Sequence, residues 1–380
     1  MTRLGGDNLS RADRIEEISS ATCEFHLDEP LDIGGRRISA REYAVAQVTT
    51  GSGITGSAYA YSQGAPLEKV ISELIAERLV GESWWDVYRL QEWAAGLKSD
   101  FPSEIVRRAY SLIDICLWDI RGKALGLPLW RLLGGYRQTI PVLLVEGYPR
   151  LNEDPETFAQ RIADRTDEGF KAIKIAYSGT PGDAADRLRE TRARVPGDVQ
   201  LIVDAVWAWE SVAEAVTAIG QWSAYDLAWV EDPFPATEVG MIGALRGACA
   251  APIGVGDEMT SLDTLLALLS AHAVDVVRLD ITQLGGVSPL QAAVAFASQY
   301  GRPVSPHIYP EVHQHLAFAQ PGIAYVELFP EDSPFWRTEK FVRSDLHTRL
   351  ERGSLTAPTQ PGLGIELDWS VVAAHVASER

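Results

Sequence analysis

Apolar and polar positions follow two different rhythms along the chain. Before about residue 135 the pattern changes every few dozen residues. REYAVAQVTT and GSAYAYS alternate apolar and polar positions around the turn GSGITG, which predicts the two strands of a hairpin. Ala65 to Trp93 reads as a helix, with Val70, Leu74, Ile75 and Leu79 on one stripe. FPSEIVRRAYSLIDICLWDIRGKALG reads as a second helix, opened by Pro102 and Ser103 and closed by Gly126 ahead of Pro128. Strands followed by helices predict a small α+β domain.

From Gln138 onward short β-rich runs alternate with amphipathic helical stretches. The runs are TIPVLLVE, FKAIKIAY, VQLIVDAV, DLAWVED, PIGVGDE, VDVVRLDI, RPVSPH and IAYVELF. Alternating βα units imply a parallel sheet, and eight of them imply a closed barrel. The tail LTAPTQPGLGIELDWSVV falls outside this rhythm and is expected to return to the first domain. The predicted fold is therefore α/β: a (β/α)8 TIM-type barrel with an α+β capping domain formed by the N-terminal part and the C-terminal tail. The expected boundaries are residues 1–137 for the capping domain, 138–354 for the barrel and 355–380 for the tail.

Composition narrows the partners. The chain is 46% apolar and 23% charged, which argues against a disordered or fibrous protein. A net charge of −18 opposes nucleic-acid backbones and anionic lipid, so neither is expected as a partner. Cys23, Cys116 and Cys249 are far apart and form no C-x-x-C pair, which fits a reducing cytoplasm. The start MTRLGGDNLSRADRIEEI has no apolar leader, and no run is long enough to span a bilayer.

In a barrel, catalytic groups sit at the C-terminal ends of the strands. Here seven of the eight runs deliver an ionisable group there: Lys174, Asp204, Glu231, Asp257, Asp280, His307 and Glu327. A single such carboxylate is usually a solvated loop residue or a helix cap. Seven in register predict a site.

Asp204, Glu231 and Asp257 follow one another at intervals of one βα unit, so adjacent strands bring them together. Three carboxylates that close repel unless a cation sits among them. An all-oxygen set without Cys or His favours Mg2+ over Zn2+. Glu258 should point the other way in its strand and is the second choice for the third ligand. Asp280 and His307 are again one unit apart, and a carboxylate beside an imidazole fixes its tautomer for proton transfer. Lys174, inside a β run, suits either a substrate carboxylate or a base of depressed pKa. Lys171 falls on the opposite face and is expected in solvent. His313 and His315 lie on an apolar helical stretch and read as packing or surface residues. Gly51, Gly53 and Gly56 match G-x-G-x-x-G, but SAYAYS follows where a dinucleotide site needs a helix. They read as hairpin-turn glycines requiring positive φ.

Taken together, these motifs resemble the enolase superfamily, in its mandelate racemase-like branch, over nearly the full chain. SLIDICLWDIRGKALGLPLWRLLGG looks like the end of that family's capping domain. VDAV, VEDPFP and GVGDE look like its three metal-ligand strands, LDITQLGGVSP and PVSPH like its Asp/His dyad, and VELF like its eighth-strand motif. The resemblance implies one Mg2+ per subunit on Asp204, Glu231 and Asp257, and a small-molecule carboxylate substrate. It also implies removal of the proton α to that carboxylate, giving an enediolate stabilised by Mg2+. Asp280, His307, Lys174 and Glu327 would be the catalytic residues, with Glu327 hydrogen-bonding the substrate carboxylate. A homo-oligomer, up to an octamer, is expected by the same resemblance.

Two departures bear on the reaction. The family's racemases carry K-x-K on strand 2, where this chain has Lys174-Ile175-Ala176, and often D-x-N on strand 3, where it has Asp204-Ala205-Val206. Inversion needs a base on each face, so loss of the second Lys favours a dehydratase in which His307 takes the α-proton and then protonates the leaving β-hydroxyl. The expected reaction is dehydration of an acid sugar to a 2-keto-3-deoxy acid. The alternatives are a racemase or epimerase using Lys174, and a barrel that has lost activity. Specificity is expected from capping segments at about residues 24–36 and 51–61. There His26, Arg36, Tyr59 and Tyr61 are able to hydrogen-bond polyol hydroxyls, and none of them is assigned to the site.

Overall fold

A computed structural model of the chain describes residues 10–33, 36–150 and 152–376, with the side chains of Asp32 and Arg36 outside the description. The capping domain opens with an antiparallel sheet of three strands in sequential order: β1 (Ile15–Ile33), β2 (Arg36–Thr50) and β3 (Thr55–Tyr61). The hairpin β2–β3 matches the expected pair, Thr49 facing Thr55 and Tyr43 facing Tyr61. β1 was not expected. Cys23, Phe25 and Leu27 alternate toward the core, but charged residues between and beyond them mask that period. Its pairing with β2 shifts register between His26 and Leu31, so the stretch expected as a capping loop is a bulged strand as far as Ile33.

The hairpin glycines need a different account from the expected one. Only Gly53 has positive φ, at 83°. Gly51 and Gly56 are required by packing: a Cβ would lie 2.1 Å from Arg11 O at the first and 2.0 Å from Cys116 O at the second.

The single helix expected from Ala65 to Trp93 is broken. Helical turns run from Leu67 to Leu79, and α1 begins only at Val87, ending at Ala95. Between them the backbone turns to the start of β1: Gly81 N donates to Ile15 O and Ile15 N donates to Glu82 O. Gly81, at φ +91°, allows that exit. α2 (Ser103–Leu125) is the buried spine of the cap and stops at Gly126, φ +66°, in the left-handed region. Two buried carboxylates tie it to its surroundings. Asp119 accepts from Ser57 N and Leu363 N, and Asp114 from Ser288 N and Oγ.

The barrel strands are β4 (Thr139–Gly147), β5 (Ala172–Ala176), β6 (Gln200–Asp204), β7 (Leu227–Glu231), β8 (Ile253–Val255), β9 (Val276–Leu279), β10 (Val304–Pro306) and β11 (Val326–Leu328). From β4 to β10 each pairs in parallel with the next, and β11 pairs with β4. Ala324 N, donating to Val304 O at 2.8 Å, closes the remaining gap between β10 and β11. All eight coincide with the expected runs. Leu143, Ala172, Ile202, Trp229 and Val276 form a separate cluster among these strands. Gly254 leaves room for Trp229, since a Cβ there would meet its ring at 2.5 Å.

After the barrel come β12 (Val342–Ser344), β13 (Leu350–Glu351), β14 (Ser354–Thr356) and β15 (Ile365–Leu367). β14 adds to β4 and β15 pairs with β12, both antiparallel. The tail then reaches the cap, where Glu24 N donates to His375 O at 2.9 Å. Among the described residues no helix is long and apolar enough to cross a membrane.

Candidate active site

The rim of the barrel gathers all seven sequence-predicted groups, and all but His307 are fully buried. Asp204, Glu231 and Asp257 end or follow adjacent strands, and one oxygen from each lies within 4.8 Å of the others. Each has its second oxygen or its backbone fixed locally. Asp204 Oδ1 accepts from Val206 N at 3.1 Å, and Glu231 Oε2 accepts from the Trp229 indole at 3.0 Å. Asp257 N donates to Asp232. Glu258 is exposed and lines the cavity mouth, outside the carboxylate cluster.

Two buried cations face these carboxylates. Lys174 Nζ lies 2.8 Å from Glu231, 3.2 Å from Glu327 and 3.4 Å from Asp204. Arg278, on β9, places Nε 3.0 Å from Asp257 and 3.1 Å from Glu231, and binds Glu327 through a terminal nitrogen. Four carboxylates against two cations leave two negative charges, which one divalent ion would balance. Hard oxygen donors, close spacing and burial fit Mg2+ held by Asp204, Glu231 and Asp257.

The electrostatics assign different states to these groups. Burial alone would lower the pKa of Lys174, but Glu231, Glu327 and Asp204 raise it well above its ordinary value. These carboxylates favour the ammonium form of Lys174. Burial raises Glu231 to about 8 against the pull of Arg278 and Lys174. Asp232 is pushed well above the usual range by burial and by Asp257, Glu231 and Asp204, against the hydrogen bond it accepts from Gly256 N. For Glu327, burial is overcome by Arg278, Lys174 and His307, which hold it below its ordinary value. It accepts from Lys174, Arg278 and Ile308 N, and so positions these groups at the cavity.

His307 follows β10 with its ring partly open to the cavity. Its Nδ1 lies 3.2 Å from Asp280 Oδ2, and its Nε2 lies 3.5 Å from Asp257 Oδ2. Asp280 Oδ1 is held by Thr282 N and Oγ1 and by Gln283 N, which leaves Oδ2 to orient the imidazole. Burial pulls the His307 pKa down, yet Asp257, the Asp280 hydrogen bond and Glu327 bring it to about 9. His313 and His315 are buried, not on the surface. His313 Nε2 accepts from Ile281 N at 3.2 Å, and its Nδ1 donates to Ile308 O. It therefore clamps the residues that follow Asp280 and His307. His315 joins Trp130 N to Leu363 O.

A cavity of about 630 Å³ opens above these groups, within the range of small-molecule sites. Its cap-side wall includes Arg37, Ser39, Arg41 and Tyr61, and Tyr148, Val206, Trp207 and Trp336 complete it. Of the capping residues singled out in the sequence, Tyr61 lines the cavity. Tyr59 is buried against Glu311 and His26 projects into solvent, while the Arg36 side chain lies outside the described residues. Lys171 is exposed beside Asp198, as expected.

The sequence patterns of known families decide the kinship. Residues 17–134 match the Mandelate racemase / muconate lactonizing enzyme, N-terminal domain, and residues 157–371 match the Enolase C-terminal domain-like family. The chain belongs to the mandelate racemase branch of the enolase superfamily.

Members of this superfamily similar to the chain include an L-talarate/galactarate dehydratase of Salmonella typhimurium, 28% identical over 93% of this chain and 89% of the relative. An N-succinyl-L-Arg/Lys racemase of Bacillus cereus is 24% identical over 93% of this chain and 96% of the relative. The crystal structure of an L-talarate dehydratase from Polaromonas sp. JS666, complexed with Mg and L-glucarate, superposes with a TM-score of 0.84. It is 26% identical, covering 97% of this chain and 98% of that one. Against this enolase-superfamily frame, four groups in the site escaped the sequence reading: Arg278, Asp232, Tyr148 and Arg41. Arg278 carried a usable signal, because an Arg within VVRLD is as anomalous in a buried strand as Lys174.

Proposed function

We propose that the protein dehydrates an acid sugar to a 2-keto-3-deoxy acid. The observation that carries this reading is the single base-bearing face. His307, oriented by Asp280, opens to the cavity beside the carboxylate cluster, while Ala176 stands where a second base would be and Lys174 is locked as an ammonium. Mg2+, bound by Asp204, Glu231 and Asp257, supplies Lewis-acid stabilisation of negative charge on the substrate carboxylate. In its neutral form, which a cation on Asp257 would favour by offsetting that carboxylate's pull, His307 Nε2 takes the α-proton, and the electron pair moves onto the carboxylate oxygens beside Lys174. The same imidazolium then gives its proton to the β-hydroxyl, which departs as water, and the enol left behind becomes the 2-keto acid. Arg278 and Glu327 keep Lys174 and Asp257 in place during the charge change.

The acid-sugar dehydratases among its relatives support this reading. We also place the protein in the cytoplasm as a homo-oligomer, up to an octamer, with functional divisions near residues 137 and 354. The test is a library of mono- and diacid sugars incubated with Mg2+ and assayed for 2-keto product. Product with loss of water supports dehydration, whereas silence across the library sinks it. Recovery of substrate deuterated at the α-carbon and inverted, after reaction in D2O, would make the protein a racemase instead.

A further inference from the structure

The cap-side wall of the cavity holds a buried cation without a carboxylate. Arg41, on β2, is 7% exposed. Its Nε donates to Phe335 O at 3.0 Å, and one terminal nitrogen donates to the Tyr61 hydroxyl at 2.9 Å. The guanidinium carbon stands 5.0 Å from the centroid of the Tyr61 ring. Among the described residues Arg41 enters no ion pair, and the Tyr61, Tyr148 and Tyr43 hydroxyls lie close enough to act on it. Lys174, across the same cavity, and Arg278, which shares Glu231 and Glu327 with it, each have three carboxylates.

An Arg does not shed its charge, so a buried guanidinium with neutral partners is costly until an anion meets it. Two of its five N–H groups are used, which leaves an edge suited to paired bonds from a carboxylate. Arg37 and Glu24 also line the cavity. Glu42, the neighbouring acid, is turned aside to Ser62 Oγ and Gly64 N. Tyr148, which follows β4, senses Arg41 on one side and Lys174, Asp204 and Glu327 on the other, so the guanidinium and the reacting centre share one electrostatic space.

We infer that the cavity takes a substrate with a carboxylate at each end, an aldaric-type diacid, whose reacting end lies at the barrel rim and whose remote carboxylate sits on Arg41. This rests on the acid-sugar reading above. An aldonate of the same length would present a neutral hydroxymethyl group there and leave the cation uncompensated.

The test compares hexarates with the hexonates of matching configuration on the Mg2+-loaded protein. A diacid preference in kcat/KM of about 100-fold or more is expected, a difference near 2.7 kcal/mol. Arg41→Gln should shrink that ratio through KM, and Arg41→Lys should recover part of it. Equal use of both acids by the unaltered protein, or equal losses on both in Arg41→Gln, would overturn the assignment. If no acid sugar reacts, the dehydratase reading fails by itself, and calorimetry still decides the site. Adipate should bind more tightly than its monoamide to the unaltered protein but not to Arg41→Gln; equal binding, or none, would overturn it.

Discussion

The two walls of the cavity solve the problem of buried charge in opposite ways. On the barrel rim, Lys174 and Arg278 are each paired with Glu327 and with two carboxylates of the metal cluster. On the cap wall, Arg41 rests on a carbonyl and a phenol. The rim is therefore organised before any ligand arrives, whereas the cap leaves its electrostatics to be completed by what enters. The division is what the proposed assignment of Arg41 requires, with the substrate read at the cap and the chemistry done at the rim.

The sharpest way to break the contrast is at His307. Replacing it with Asn should lower kcat by about 10²–10⁴-fold and abolish α-deuterium exchange in D2O, because Ala176 offers no second base. Exchange surviving in that variant would return Lys174 to the role of base. Metal removal tests the rim next. Chelation should end turnover, and Mg2+ at about 100 times its Kd should stabilise the protein by ~2.7 kcal/mol. That gain, read as a rise in Tm, should vanish in Asp204→Asn and in Glu231→Gln.

Parallel substitutions of the two arginines then compare the walls directly by denaturant titration. Arg278→Met strips Asp257, Glu231 and Glu327 of a buried partner and should cost on the order of 3–5 kcal/mol. Arg41→Met removes hydrogen bonds to neutral acceptors together with the cost of burying an unpaired cation, so the net change should stay within about 1 kcal/mol. Equal costs would show that the cap guanidinium is held as tightly as the rim one.

The smallest effect concerns acid stability. Burial depresses His313 and His315 to about 4, so between there and the ordinary value of 6.5 the unfolded chain binds more protons than the folded one. Their contribution is complete above 6.5 and fades as pH falls toward 4. Tm should drop across that window, and His315→Gln should flatten the drop; an unchanged slope would mean that His315 titrates normally.

The barrel was legible because its signals are local. Each strand is a short β-rich run, and one βα unit separates Asp204 from Glu231 and Glu231 from Asp257. Parallel pairing with adjacent register converts that spacing into proximity with little freedom for another outcome. The cap was less readable. β1 hides its alternation among charged residues, and the helix ending at Leu79 stops because Gly81 and Glu82 find backbone partners on β1, a competition absent from any window of the chain. Gly51 and Gly56 looked like turn residues, but the atoms that exclude a side chain belong to Arg11 and Cys116.

The sequence by itself determined the barrel, the three acidic strand ends and the Asp280–His307 pair, since strand periodicity and repeat length are properties of nearby residues. Tertiary structure alone decided which state each group holds. The ammonium form of Lys174 is favoured because Glu231, Glu327 and Asp204 converge on it from three other strands. Arg41 becomes a feature of the site only where the cap closes over the barrel, because desolvation and Coulomb energy depend on distances that contiguous sequence does not contain.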